Sequence, residues 1–197
     1  MRQALWLTIF VLLGVAGPAQ AQFYGSLSGM AVFVPDSDMD IEGLPLDADA
    51  RFETGWGVAG ALGHGWDLPT LRPRLELEAA FRRAELKDVK IAGQKFDTGN
   101  DYLWSASGMV NGAIDLTVVP VVTPYVMAGL GFAIVDADDS DSDTVFAYQA
   151  GAGLGYEIGP ATLFLGYRYF ATERPDLGGV KLDLETHNLE AGVRYGF

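Results

Sequence analysis

Cysteine is missing from this sequence of 197 residues. Its absence excludes a disulfide framework, a thiolate zinc site, an iron–sulfur cluster and a lipid-modified N-terminal cysteine. Basic residues are scarce, since 13 Lys and Arg stand against 26 Asp and Glu and the formal net charge is −13. A chain with this charge repels phosphate backbones, so we expect no binding to nucleic acid.

No hydrophobic run in the sequence is long enough for a membrane-spanning helix, and this includes the run at the N-terminus. It covers residues 4–15, whereas a transmembrane helix needs about 20 apolar residues. The run follows a single arginine, ends at a Gly-Pro pair and leads to an Ala-Gln-Ala cleavage pattern. We predict a signal peptide over residues 1–21, cleaved after Ala21, and an exported domain over residues 22–197. The alternative is a buried N-terminal helix.

Helical periodicity is not found after residue 22, and apolar and polar residues alternate with a period of two instead. The alternation predicts eight strands. They cover residues 23–34, 51–64, 72–84, 102–118, 124–135, 144–158, 162–172 and 184–197.

The connections between these strands alternate in length. Those after the odd-numbered strands are long and acidic or mixed in charge, such as residues 35–50 and 136–143, whereas those after the even-numbered strands are short and contain a proline. In an up-and-down meander all odd-numbered connections lie at the same end. Short turns at one end and long loops at the other are typical of outer-membrane barrels. The predicted fold is therefore all-β, a transmembrane eight-stranded antiparallel up-and-down barrel.

The polar faces of the predicted strands carry full charges of both signs near mid-strand. We predict that these charges form a structural network inside a closed lumen, where small residues on the same faces leave room for them. Counting across the turns places Glu53 opposite Arg82, and Arg168 close to Glu190. The alternative is that the charges face water. The candidates for the network are Glu53, Glu76, Glu78, Arg82, Arg168, Glu190 and Arg194.

Bulky aromatic residues gather near the strand ends. Two belts about ten residues apart fit an apolar band about 25 Å tall that tilted strands cross. The belt near the short connections comprises Phe23, Tyr125, Tyr156, Tyr195 and Phe197. The belt near the long connections comprises Phe33, Phe52, Phe81, Tyr102, Trp104, Phe146 and Tyr169.

With this architecture the chain resembles the small eight-stranded outer-membrane barrels of Gram-negative bacteria, the OmpA-like transmembrane domain and the opacity-protein-like group. The most specific element is the C-terminus, where Phe197 ends an alternating stripe that includes Tyr195 and Val193. The resemblance implies that Tyr195 and Phe197 form the signal for the outer-membrane assembly machinery. It also implies an outer-membrane location, with membrane lipids and lipopolysaccharide as partners. Because the sequence ends at the last strand, we expect no second domain and no peptidoglycan binding.

Catalytic and metal-binding residues are sparse, and we expect no enzymatic activity and no cofactor. Outer-membrane deacylases of lipid A use a His-x-Ser pair, but Asn188 and Leu189 follow His187 and the serine is missing. Asp139, Asp141 and Asp143 are weak candidates for a calcium site. They lack the glycine and glutamate of the EF-hand loop, which favours a solvated acidic rim.

Two adjacent arginines lie where the third predicted strand emerges. Alternation directs Arg82 inward and Arg83 outward. One hypothesis is that Arg83 contacts lipid phosphates in the outer leaflet, and the alternative is simple placement at the membrane interface.

The leading hypothesis is a barrel with a structural and surface-interaction role, a filled charged lumen and acidic extracellular loops. One alternative is a narrow pore for ions or small solutes, which needs an aqueous path through the lumen. A second is a soluble exported lipocalin-like binding protein. A closed barrel needs no partner subunit, so we expect a monomer.

Overall fold

A computed structural model of the chain describes ten segments. They are residues 21–35, 37–41, 48–52, 54–91, 94–96, 102–118, 121–137, 142–173, 180–182 and 184–197. Residues 1–20 lie outside these segments, so the signal peptide and its cleavage site stay predictions. No helix within the segments is long and apolar enough to cross a membrane.

The described segments form twelve β-strands. They are β1 (Ala21–Phe33), β2 (Ser37–Ile41), β3 (Ala48–Phe52), β4 (Gly55–Trp66), β5 (Leu71–Ile91), β6 (Gln94–Phe96), β7 (Tyr102–Leu116), β8 (Val122–Ala137), β9 (Asp143–Ile158), β10 (Ala161–Thr172), β11 (Val180–Leu182) and β12 (Glu185–Gly196).

Eight of these strands close into an antiparallel up-and-down barrel, which confirms the predicted fold. Their order around the wall is β5, β4, β1, β12, β10, β9, β8 and β7, and β7 pairs back onto β5. The first and last strands of the wall, β1 and β12, pair from Tyr24 with Gly196 to Phe33 with His187. A closed wall has no free sheet edge, so its backbone groups find partners within the wall, as a hydrocarbon environment requires.

The two ends of the barrel differ as the sequence predicts. At one end short turns join β4 to β5, β7 to β8 and β9 to β10, and Gly159 in the last of them adopts a φ of 59°. We call this the short-turn end, and the opposite end the loop end.

At the loop end, β2, β6 and β11 lie in connections that were predicted to be loops, and β3 spans the end of one such connection and the first two residues of the strand predicted over residues 51–64. Strand β11 pairs with β2, β2 pairs with β3, and β3 pairs with residues 86–91 at the loop end of β5. Strand β6 pairs with residues 89–91 of β5. The 21-residue β5 extends beyond residue 84, where its prediction ends, and its emerging backbone groups are satisfied by these short strands. The alternation Ser-Asp-Met-Asp-Ile of β2 has the period of two that is typical of a strand, although its acidic composition predicts a loop.

The apolar side chains of the wall point outward and the charged ones point inward. On β5, Leu77 is 65% exposed, whereas its neighbour Glu78 is 3% exposed. On β10, Leu165 is 63% exposed, whereas Arg168 is 6% exposed. This is the arrangement of a membrane barrel and the reverse of a soluble one.

One residue assigned to the aromatic belts was placed wrongly. Tyr125 is buried, because it shares its face of β8 with the inward residues Thr123 and Met127. Its ring fills the lumen beside Gly153 and Gly166, where a Cβ atom would overlap it. Position near a strand end therefore does not place an aromatic residue in a belt unless its side chain also lies on the outward face.

Candidate functional site

The interior of the barrel contains a charged lumen lined by alternate residues of the eight wall strands. In the interior that the structure describes, four arginines and four carboxylates give a formal sum of zero. The arginines are Arg74, Arg82, Arg168 and Arg194, and the carboxylates are Glu76, Glu78, Asp115 and Glu190. Buried charges of this kind are tolerated when they are paired and hydrogen-bonded.

The middle layer of the lumen is organised by Arg168 of β10. Its Nη1 atom donates to both carboxylate oxygens of Glu78, each at 2.7 Å, and its Nη2 atom lies 2.7 Å from Glu190 Oε2. The other oxygen of Glu190 accepts a hydrogen bond from Ser28 Oγ at 2.5 Å. Strands β1, β5, β10 and β12 are thereby joined across the lumen.

Two amide side chains complete this middle layer. Gln149 Nε2 donates to Glu78 Oε1 at 3.1 Å and to Asn111 Oδ1 at 2.7 Å. Asn111 Nδ2 donates to Glu78 Oε2 at 3.1 Å. Glu78 therefore accepts hydrogen bonds from three side chains, which fixes its carboxylate in the lumen.

A second charged layer lies nearer the short-turn end. Arg74 Nε donates to Asp115 Oδ1 at 2.9 Å, and Arg74 also pairs with Glu76. Tyr24 OH donates to Glu76 Oε1 at 2.6 Å and accepts from Arg74 Nη1 at 3.1 Å. Arg194 Nη1 lies 3.6 Å from Asp115 Oδ2, and its guanidinium lies 5.2 Å from the centre of the Tyr24 ring.

The mouth at the short-turn end is an open recess of about 290 Å³. Arg72 at its rim pairs with Asp67 and lies 3.1 Å from Glu157. The recess ends at the layer of Arg74 and Arg194, which also line it.

The loop end of the lumen is filled by apolar side chains. The buried cluster comprises Leu103, Met109, Ala133, Val135, Val145, Ala147, Phe170 and Leu184. Arg82 lies against it, with its guanidinium 4.0 Å from the centre of the Phe170 ring and Nη1 donating to Ser107 Oγ at 3.0 Å. Its Nε and Nη2 atoms are buried without a hydrogen-bond partner.

The lumen between the two charged layers is closed. In the cavity lined by Arg74, Glu78 and Arg168, the centre of a water molecule can occupy a volume of only about 20 Å³. This is room for about one water. Side chains thus block the passage from the mouth to the loop end.

The predicted network residues fall into three groups. Glu76, Glu78, Arg168, Glu190 and Arg194 lie in the two charged layers. Arg82 lies apart from these layers, at the apolar cluster. Glu53 lies outside the described residues.

One pairing predicted by counting across the turn is wrong. The register of β4 and β5 places Arg82 opposite Gly57, not opposite Glu53. The β4–β5 pairs are centred between residues 69 and 70, two residues beyond the assumed centre at residues 67–68, and this moves the partner of Arg82 from residue 53 to residue 57.

Two members of the charged layers, Arg74 and Asp115, are not among the residues predicted for the network. Alternation puts both on the polar faces of their strands. Both can therefore be predicted when the inward face is assigned over the whole length of each strand.

The remaining sequence candidates are dispersed. Asp139 and Asp141 lie outside the described residues, and Asp143 accepts a hydrogen bond from the backbone N of Thr144 at 2.8 Å. Within the described segments no cluster of three or more carboxylate or imidazole groups could hold a metal ion. At the C-terminus, Tyr195 and Phe197 are exposed, and the Phe197 backbone N donates to Phe23 O at 2.9 Å.

The two histidines both lie on the outer face. The His64 ring is 4.6 Å from each of the Phe23 and Trp66 rings at the short-turn end. His187 Nδ1 lies 2.5 Å from Tyr167 OH near the loop end, and Tyr169 packs beside it.

The chain matches a known family and known structures. A family model for the outer membrane protein beta-barrel domain matches residues 7–197. Neisserial surface protein A is 18% identical with a TM-score of 0.54, and the match covers 90% of this chain and 99% of that one. No match is found among curated proteins.

Two further solved structures have a similar fold. The outer membrane protein OprG from Pseudomonas aeruginosa is 12% identical with a TM-score of 0.56, covering 92% of this chain and 98% of that one. The outer membrane protease OmpT from Escherichia coli is 8% identical with a TM-score of 0.50, covering 90% and 96%. At these identities the likeness concerns the fold alone.

Proposed function

The chain belongs to the outer membrane protein beta-barrel domain family and is a Gram-negative outer-membrane protein, and from this premise we propose a structural and surface-interaction role for it. The barrel anchors a closed, mechanically continuous element in the membrane. Its long acidic connections, including residues 35–50, are displayed at the cell surface, where binding residues are commonly found on loops. Membrane lipids, lipopolysaccharide and the assembly machinery are its proposed partners.

The observation that carries this proposal is the closed middle layer. Arg168 holds Glu78 and Glu190 at 2.7 Å, and the space beside them admits about one water. A pore needs a continuous aqueous path, whereas here two charged layers and an apolar cluster follow one another along the axis. The recess at the short-turn end stops at the first of these layers. A conducting role therefore has less support than a structural one.

A non-enzymatic role is part of the proposal. The protease OmpT shows that this general fold can carry catalysis, so the fold does not decide the question. The support comes from the histidines, because the hydrogen-bond partner of His187 is the phenol of Tyr167, and no serine or threonine in the described residues is hydrogen-bonded to either imidazole.

Planar-bilayer recording of the detergent-extracted chain tests the closed lumen. We expect no stable single-channel steps, because the ion pairs of the middle layer fill the path. The control is heat-modifiable gel mobility of the same sample, which shows that the inserted protein is folded. Stable, reproducible steps from folded protein would support the narrow pore and contradict the proposal.

A further inference from the structure

The outer face of the barrel carries one arginine in a distinctive setting at the loop end. In β5, Arg82 and Ala84 are both buried, so Arg83 between them points to the outside. The register places Arg83 directly opposite Trp56 of β4 and directly opposite Trp104 of β7. A cation thus lies between two tryptophans in one row across three strands.

Phe81 packs this row together from below. It is two residues before Arg83 on the same face, and its ring lies 5.9 Å from Trp56 and 6.0 Å from Trp104. Trp56 is 53% exposed on the outer wall. We call Trp56, Phe81, Arg83 and Trp104 the Trp–Arg patch.

The depth of the Trp–Arg patch is that of the lipid headgroups. From Pro73 to Arg83, ten residues at about 3.4 Å each and tilted by about 40° rise about 26 Å. This equals the height of the apolar band of an outer-membrane barrel, about 25 Å. Leu75 and Leu77 on the same face lie within the band, so Arg83 marks its outer edge. Tryptophan prefers this interface.

Charge distinguishes the patch from the rest of the wall. The other arginines with described side chains lie in the lumen or at the short-turn mouth, so Arg83 is the one arginine on the outer wall among the described side chains. A planar guanidinium with five N–H donors binds phosphate in a bidentate fashion and can do so beside contacts within the protein. In the outer leaflet of this membrane the anionic lipid is lipopolysaccharide.

We propose that the Trp–Arg patch is a binding site for a lipopolysaccharide phosphate, with the Arg83 guanidinium as its phosphate ligand. Trp56, Phe81 and Trp104 form the apolar floor beneath the phosphate and face the first acyl segments. The proposal rests on the membrane location and not on the closed lumen.

Lipid binding by the full chain in phosphatidylcholine nanodiscs tests the site. The probe is diphosphoryl lipid A, and native mass spectrometry measures the bound fraction across a titration. We expect Arg83→Gln to bind it about tenfold more weakly than wild type, as for the loss of a charge-assisted hydrogen bond. The loss should vanish with dephosphorylated lipid A, which both proteins should bind equally.

Two further variants sharpen the test. Arg72→Gln makes the same change of residue and charge at the short-turn mouth, and should bind like wild type. Arg83→Lys keeps the charge but loses the planar fork, and should bind more weakly than wild type and more tightly than Arg83→Gln. Heat-modifiable mobility verifies folding, and Arg83→Lys decides alone if Arg83→Gln does not fold.

Three results overturn the proposal. One is wild-type affinity of Arg83→Gln or Arg83→Lys for diphosphoryl lipid A. Another is an equal loss with the dephosphorylated lipid, which would assign Arg83 to packing. The third is displacement of the lipid by millimolar inorganic phosphate, which would make the patch a site for the free anion. None of these results bears on whether the lumen conducts.

Discussion

Arg82 and Arg168 are both buried arginines of one lumen, but their surroundings differ. Arg168 has two carboxylates at 2.7 Å, whereas no carboxylate in the described residues lies within 4.0 Å of Arg82. Arg82 instead packs on the Phe170 ring and keeps two donors without partners. Removing one member of a buried ion pair leaves an uncompensated charge, whereas replacing an unpaired buried charge by an apolar side chain does not.

We therefore expect Arg168→Leu to destabilise the barrel far more than Arg82→Leu. The first change leaves Glu78 and Glu190 without the arginine that pairs with both, and should lower the free energy of unfolding by about 3–5 kcal/mol. The second should cost about 1 kcal/mol or less, because leucine fits the apolar cluster and removes the unpartnered donors. Urea unfolding in lipid vesicles measures both. Equal losses for the two variants would mean that the ion pairs of the middle layer contribute little.

The alternation of polar and apolar residues along each strand can be predicted from the sequence. It assigns Glu78, Arg168 and Glu190 to the inner face, because neighbouring side chains of a strand point to opposite sides. Register is a different quantity, since it depends on where each turn is centred. The pairing of Arg82 shows this, because a two-residue error in the centre of the β4–β5 pairing moves every predicted partner by four positions. Tyr125 shows that aromatic content cannot replace the face assignment.

The strands added at the loop end illustrate a second limit. The pairing of β3 with β5 joins residues about 40 positions apart, and nothing in either segment alone specifies it. The composition of such segments resembles that of polar loops, so only the unsatisfied backbone groups of the neighbouring strand explain their conformation.

Glycine at inward positions of the strands makes room for large lumen side chains, and Gly153 in β9 is the clearest case. A Cβ atom there would lie 2.7 Å from the Tyr125 ring and 2.5 Å from Leu165 O. We expect Gly153→Val to destabilise the barrel by about 1–3 kcal/mol through overpacking.

Gly112→Val is the matched control for this change. Gly112 lies on the outer face of β7, with no atom within 4 Å of the Cβ position, and valine is the better strand residue there. It should be neutral or slightly stabilising. Unfolding in vesicles compares the two, and similar losses at both positions would show that backbone preference, and not the space for Tyr125, decides.

The barrel as a whole has its apolar side chains outside and its ion pairs inside. This inversion follows from the solvent, because lipid accepts exposed leucine at no cost, while a closed interior favours paired charges, as it has for all its described charged side chains except Arg82. The protein's net charge of −13 does not conflict with a membrane location. The charges of the described lumen cancel, and long acidic segments lie in the loop-end connections. One physical rule therefore accounts for the wall, the lumen and the acidic loops together.

The inversion makes a prediction that a water-soluble barrel would not share. Leu165 lies near the middle of the outer face of β10, so Leu165→Arg places a charge in the hydrocarbon and should lower the free energy of unfolding in a bilayer by about 2–4 kcal/mol. Leu68→Arg introduces the same residue into the exposed turn at residues 67–70, outside the apolar band, and should cost at most about 1 kcal/mol. Urea titration in phosphatidylcholine vesicles measures both variants against wild type. If both variants unfold like wild type, the outer face does not meet acyl chains, because no bilayer tolerates a guanidinium at its midplane without cost.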